Sequence, residues 1–253
     1  MRHQFASLGI SDRYKRFDAT LGAEAPQRAE TSMPAGHLGC WLSHQALWTQ
    51  GLASAQHLHI LEDDAVLSPL LFATLKAVDL PDSNWDLLFT DLYFHPPPTP
   101  EQFVRLRQWT RAYAENRKVT LTNLKDWSFT GTTSYLINRH SIAKLIALTD
   151  GQWKLNQTFD IHLRNLVRNG QIRAFVTIPF LTTLSSGNVA STTGGQGPAF
   201  AEINAFREAF FYKADPLAIY TKVKSCESTH DTEPMLGIYL ELLRQVIGTI
   251  RLS

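Results

Sequence analysis

The chain has 253 residues, 44% hydrophobic and 19% charged, with 24 Lys and Arg against 23 Asp and Glu. That length allows one large domain or a domain with an appendage, and a net charge of +1 excludes a global field that would recruit nucleic acid or an acidic polymer. Cys40 and Cys226 are the only cysteines and lie far apart, so no disulfide framework is expected and a reducing cytosol fits. No apolar run approaches the ~20 residues that span a bilayer, and MRHQFASLGI lacks a signal-peptide core. The expectation is a soluble cytoplasmic protein, peripheral to a membrane at most.

In chain order, Arg2 to Leu8 reads as the end of a helix with Gly9 as C-cap, and Tyr14 to Ala19 as a short strand. A polar, flexible stretch from Thr20 to Pro34 leads to His37–Gly51, an amphipathic helix with Cys40, His44 and Leu47 or Trp48 at near-helical spacing. His57 to Leu61 is a strand, Leu70 to Val78 a helix, and Trp85 to Thr90 a buried strand stopped by Asp91 and then by His95-Pro96-Pro97-Pro98. Thr99 to Asp126 shows no clear periodicity and reads as a long connection suited to binding contacts.

Gly131 to Ile137 is β-rich and leads into a helix of Ser141 to Leu148, capped by Asn138 or Ser141. Phe159 to Arg168 is a helix and Ile172 to Ile178 a strand. This alternation predicts an α/β sandwich with a largely parallel sheet. Ser185 to Pro198 is a Gly/Ser/Thr-rich loop expected to be mobile, and helical segments follow over Ala205–Tyr212 and Leu236–Ile250. The last is apolar over most of its circumference, which suits packing on the domain, a homodimer contact, or a membrane surface.

The most informative stretch is His59-Ile60-Leu61-Glu62-Asp63-Asp64-Ala65, where an apolar approach ends in three carboxylates. Strand alternation puts Glu62 and Asp64 on one side, about 7 Å apart, and Asp63 on the other. Such a pair can share Mg²⁺ or Mn²⁺, which prefer oxygen ligands and keep positions open for phosphate. The other reading is an acidic turn capping the next helix, with Asp64 or Ser68 near its N-terminus. His37 and His44 are too far apart for an H-x-x-x-H pair, and His57 and His59 find no third ligand nearby, so zinc is not expected.

Arg16-Phe17-Asp18-Ala19, then Gly39-Cys40-Trp41-Leu42-Ser43-His44, then Leu61-Glu62-Asp63-Asp64 resemble the RF-x-A, GC-x-x-SH and LEDD elements of glycosyltransferase family 25. Trp85–Phe89 and the Gly131–Leu145 pattern also fit, and the resemblance runs over residues 2–185. It implies a GT-A-like, Rossmann-type sandwich with a mostly parallel sheet and nucleotide-sugar at the strand ends. It further implies inverting transfer of a hexose, commonly galactose from UDP-galactose, to a lipopolysaccharide or lipooligosaccharide acceptor at the inner face of the bacterial membrane. Residues 1–199 would form this domain and 200–253 a helical extension.

On this resemblance Glu62 and Asp64 take the place of a DxD motif holding Mn²⁺ or Mg²⁺, Asp64 directly and Glu62 through water or on the ribose. Asp63 serves instead if the strand is bulged. Ser43 and His44 line the nucleotide or support the acidic loop, and Gly131 and Thr132 allow close approach to donor or acceptor. The cation would neutralise charge on the departing diphosphate, while a carboxylate takes the acceptor proton. Asp160 matches an Asp that the family carries at the start of a late helix and is the assigned base, its other reading being a carboxylate favoured by the helix dipole. Asp91 is the rival base and Asp126 a third. Ser185, Ser186 and Asn188 could close over the diphosphate, and Trp127 and Tyr135 either stack on a sugar or pack in the core.

Family members open on a short V-I-N-L-type strand that helps form the uridine pocket, whereas Met1 here falls where the first helix is already under way. A start placed too far downstream, a substitute segment, or a decayed copy would each explain this. Two other classes compete: a non-catalytic GT-A-like protein that binds a glycan or a partner, and a metal-dependent phosphohydrolase, which would want further carboxylates or histidines nearby.

Overall fold

The computed structural model describes residues 1–24, 31–77, 84–152, 156–185, 198–215, 218–219, 221, 238–239 and 241–245. Ser186, Asn188, the rest of the Gly/Ser/Thr-rich loop up to residue 197 and most of the Leu236–Ile250 helix lie outside the described residues.

Helix α1 (Arg2–Ser7) ends as expected: Gly9 takes φ +65°, and Ile10 N–H returns to Phe5 C=O at 2.9 Å. The strand expected over Tyr14–Ala19 does not form. The segment is held by side chains instead, Tyr14 Oη bonding His59 Nδ1 at 2.6 Å and Thr20 N–H donating to Ser43 Oγ at 2.9 Å. Helix α2 (Ala35–Gly51) buries Leu38, Trp41, His44 and Trp48, a stripe recurring every three or four residues.

Strands β1 (Leu58–Leu61), β3 (Leu87–Phe89), β4 (Thr120–Asn123), β5 (Ser134–Ile137) and β6 (Ala174–Ile178) form one sheet in the order β1-β5-β3-β6-β4. The sheet is mixed, not largely parallel as the alternation of strands and helices predicts. Only the β3–β6 pair is parallel; β5 inserts antiparallel between β1 and β3, and β4 runs antiparallel along β6. β1 is therefore an edge strand. Strands β2 (Ala65–Leu67) and β7 (Thr182–Leu184) make a second, antiparallel ribbon.

Helices α5 (Ile142–Thr149) and α6 (Phe159–Arg168) pack with α2, and α3 (Leu71–Ala77) lies over the small ribbon through Leu71. The stretch read as a long connection contains α4 (Pro100–Asn116), packed on β6, and then β4. Thr99 and Gln102 form a reciprocal capping box with Pro100 in the first turn. Helix α7 (Pro198–Glu208) and the described residues after it add Phe206, Phe210, Tyr239 and Leu243 to the main core. No described helix is long and apolar enough to cross a membrane.

Candidate active site

β1 delivers Leu61 to a tight turn rather than continuing through the carboxylates. Ala65 N–H bonds Glu62 C=O at 3.2 Å, and β2 starts at Ala65. Alternation along a strand thus does not set the directions of Glu62, Asp63 and Asp64; the turn does. Ser185 N–H donates to Asp64 C=O at 2.9 Å, so β7 fastens the turn from the other side. Asp63 is exposed and Asp64 half-buried. A strand, not a helix, follows the acids, while Ser68 Oγ accepts from Leu70 N–H at 3.0 Å ahead of α3.

Glu62 turns inward. Its N–H donates to Thr133 C=O at 2.9 Å, its Oε1 accepts from Thr132 Oγ1 at 2.8 Å, and His44 Nε2 lies 3.9 Å away. The side chain keeps 37% of its surface open, but toward a walled cleft, and burial pushes its carboxyl up to about 7. The Thr132 hydrogen bond and Arg207 oppose that shift, and Asp64 and Asp160 add to it. His44 is buried against Phe159, the rings stacked at 4.7 Å, and burial lowers it to about 4, so it is neutral. Ser43 Oγ donates to Gly39 C=O at 2.7 Å and accepts from Thr20 N–H, which makes it the anchor of the 14–20 segment on α2.

Asp160 opens α6. Its Oδ2 accepts from Gly131 N–H at 2.9 Å, and its Oδ1 from Thr158 Oγ1 at 2.5 Å and Ile161 N–H at 2.9 Å. Gly131 sits at φ +94°, and a Cβ there would lie 2.8 Å from Tyr93 Cδ2. The glycine thus lets the Tyr93 ring lie over the chain and turns its own N–H to Asp160.

Asp91 is fully buried and pairs with Arg207, whose Nε donates to Asp91 Oδ1 at 2.5 Å. Arg207 also donates to Tyr93 Oη at 3.1 Å and rests on that ring, 4.7 Å from its centre. Burial pulls the guanidinium down to about 9, while Asp64, Glu62 and Glu208 favour its charge.

Glu62, Asp63, Asp64, Ser43, His44, Gly131, Thr132, Asp160, Tyr93 and Arg207 all line one cleft of about 3460 Å³ beside β1, the edge strand of the sheet among the described residues. That is several times the space one small ligand needs. Asp91 and Asp126 do not line it. Asp126 is exposed and offers its backbone carbonyl to Gln102 Nε2 at 2.7 Å. Trp127 and Tyr135 are both core: Trp127 packs on Phe94, and Tyr135 Oη accepts from Trp48 Nε1 at 3.0 Å. Ser185 reaches the cleft.

Cys40, Tyr93 and Arg207 were not singled out as site residues from sequence. Cys40 had a signal, since it stands four residues before His44 on a helix and must share its face. Arg207, a charge among Ala205, Phe206, Ala209 and Phe210, required a buried counterion that sequence could not name. The Asp63–Asp64 turn offers only oxygen donors, which suits a hard divalent cation.

A cleft lined by acidic turn, helix-start carboxylate and buried guanidinium suits an enzyme acting on a charged, polar substrate. A profile of glycosyltransferase family 25, described as an LPS biosynthesis protein, matches residues 3–161. The chain belongs to that family and is a glycosyltransferase of lipopolysaccharide biosynthesis. No curated protein shows a significant match to it.

Proposed function

We propose that this chain transfers a hexose, galactose from UDP-galactose, to a lipopolysaccharide or lipooligosaccharide acceptor with inversion, in a GT-A-type donor site. The observation that carries this is the convergence of Asp64 and Asp160 on one cleft that Arg207 also lines. Asp64, with exposed Asp63 beside it, would hold Mn²⁺ or Mg²⁺ against the donor diphosphate. Glu62 lies inward and acts from behind. The cation supplies charge neutralisation for the leaving nucleoside diphosphate.

Asp160 takes the proton of the acceptor hydroxyl in this reading. Its carboxylate lines the cleft, and the Gly131 N–H and Thr158 hydroxyl fix its orientation. Asp91 is a positioning residue: neutralised by Arg207 and closed off, it holds that guanidinium and Tyr93 in place. Ser43 and His44 act through the segments they anchor, Ser43 on Thr20 and His44 behind Glu62.

UDP release from UDP-galactose, with a truncated lipooligosaccharide as acceptor, tests the assignment. Asp160→Asn is expected to lower kcat by about 10²- to 10⁴-fold, the range for a general base, with the melting temperature little changed. Full activity in Asp160→Asn, or no transfer from any UDP-hexose by the folded wild type, would defeat it. The second outcome would favour a protein that binds glycan without reacting.

A further inference from the structure

Among the described residues, one set of metal-ligating atoms lies close together, and it is not the acidic turn. Cys40 Sγ, a His44 ring nitrogen and a Glu62 carboxylate oxygen all lie within 4.8 Å of one another at the cleft floor. Cys40 and His44 are one helical turn apart on α2, and Glu62 is the first residue beyond β1.

We propose that Cys40, His44 and Glu62 are a three-ligand site for a thiophilic divalent cation, zinc in class, separate from the hard-cation site at Asp64. The donor chemistry argues for this first. A thiolate and an imidazole select zinc-like metals over Mg²⁺ or Mn²⁺, and three protein ligands leave a fourth position open, here onto the cleft.

His44 supplies an independent observation. It is only 4% exposed, and its Nδ1 is engaged with Tyr135 Oη at 2.8 Å. Among the described residues Nε2 has no hydrogen-bond partner, and it faces Glu62 Oε1 at 3.9 Å. Ligation through Nε2 requires the tautomer with its proton on Nδ1, donated to Tyr135 Oη as an outer-shell partner, with the Tyr135 hydroxyl proton turned away from His44. Tetrahedral zinc places neighbouring S, N and O ligands about 3.5 Å apart. The three atoms therefore need to close by at most about 1.3 Å from the 4.8 Å limit.

The surroundings point the same way. Cys40 and Glu62 are partly buried and their ligand atoms meet beside His44, so one cation among them would satisfy all three. Thr132 completes an outer shell, its hydroxyl touching both Cys40 and Glu62. Cys40, His44 and Glu62 all line the cleft, which gives the ion an entry path.

The proposal does not depend on the transferase reading, because it is tested without nucleotide. The chain is stripped with EDTA and titrated with Co²⁺, and zinc affinity is read by competition with a chromophoric chelator. The expected result is one equivalent of Co²⁺ with a thiolate-to-cobalt charge-transfer band in the near ultraviolet. Cys40→Ser should abolish that band, and His44→Gln should weaken zinc by more than about 100-fold, beyond the effect of losing an outer-shell partner. Tyr135→Phe should weaken it by about 10- to 100-fold, and Asp64→Ala should leave the band in place. Circular dichroism confirms that each variant is folded. Absence of Co²⁺ binding, a spectrum without charge transfer, or equal zinc affinity in folded Cys40→Ser would each overturn the site.

Discussion

Arg207 keeps only 2% of its side-chain surface exposed and faces an Asp91 that has none. Such a pair is worth little against an apolar replacement, but removing one partner strands a buried charge, at about 3–5 kcal/mol. Asp91→Asn is therefore predicted to lower the melting temperature by roughly 10 °C, whereas Asp160→Asn should not; a thermal scan of both variants separates positioning residue from base. Sequence could not rank these carboxylates. Asp91 ends a strand and Asp160 starts a helix, but the counterion that closes off Asp91 comes from 116 residues away.

His59 gives a pH test at the same scale. Burial lowers it to about 3 from 6.5, with its two nitrogens engaged by Tyr14 and Ser134. Because its folded value lies below its unfolded one, the unfolded chain takes up the proton first. The stability contribution is present above pH 6.5 and is lost as pH falls toward about 3. Melting temperatures measured across that window should fall less steeply in His59→Asn than in the wild type.

Between elements, the segment around Gly22 approaches α2 closely enough to exclude a side chain. A Cβ on Gly22 would meet Ala35 O at 1.8 Å, and one on Gly39 would meet Thr20 O at 2.6 Å. Gly22→Ala must push the segment off the helix, and a loss of about 1–3 kcal/mol in urea unfolding is expected. Thr99→Ala, which removes the α4 cap, should cost about 1 kcal/mol by the same measurement.

α2, α5 and α6 were legible because each buries apolar residues at helical spacing, and β1 because its apolar run stops abruptly at the acids, although only Ile60 of its four residues is buried. α4 was not, since only Phe103, Leu106 and Tyr113 are buried along its 17 residues. Its Thr99-Pro100-Glu101-Gln102 start was in plain view. Tyr14 to Ala19 has the composition of a strand but no ladder to join, which local propensity cannot report.

At the scale of the whole molecule, strand direction was the main thing hidden. A buried strand reads the same whether its neighbour is parallel or antiparallel, so the insertion of β5 between β1 and β3 became visible only in the ladder. The acidic turn, by contrast, stood out in the sequence as a candidate because an apolar strand stops there at three carboxylates, and all three line the cleft. That α2 brings a thiol and an imidazole to the back of Glu62 was legible only in part, through their helical spacing.

The donor site itself is tested by titrating UDP calorimetrically into the EDTA-stripped chain, with and without Mn²⁺, and repeating the titration on Asp64→Ala. UDP is expected to bind with Mn²⁺ and not without it, and Asp64→Ala to weaken binding by more than about 10-fold at unchanged melting temperature, a loss of at least about 1.4 kcal/mol. UDP binding of equal strength without metal, or none by the folded wild-type chain, would contradict the donor-site assignment.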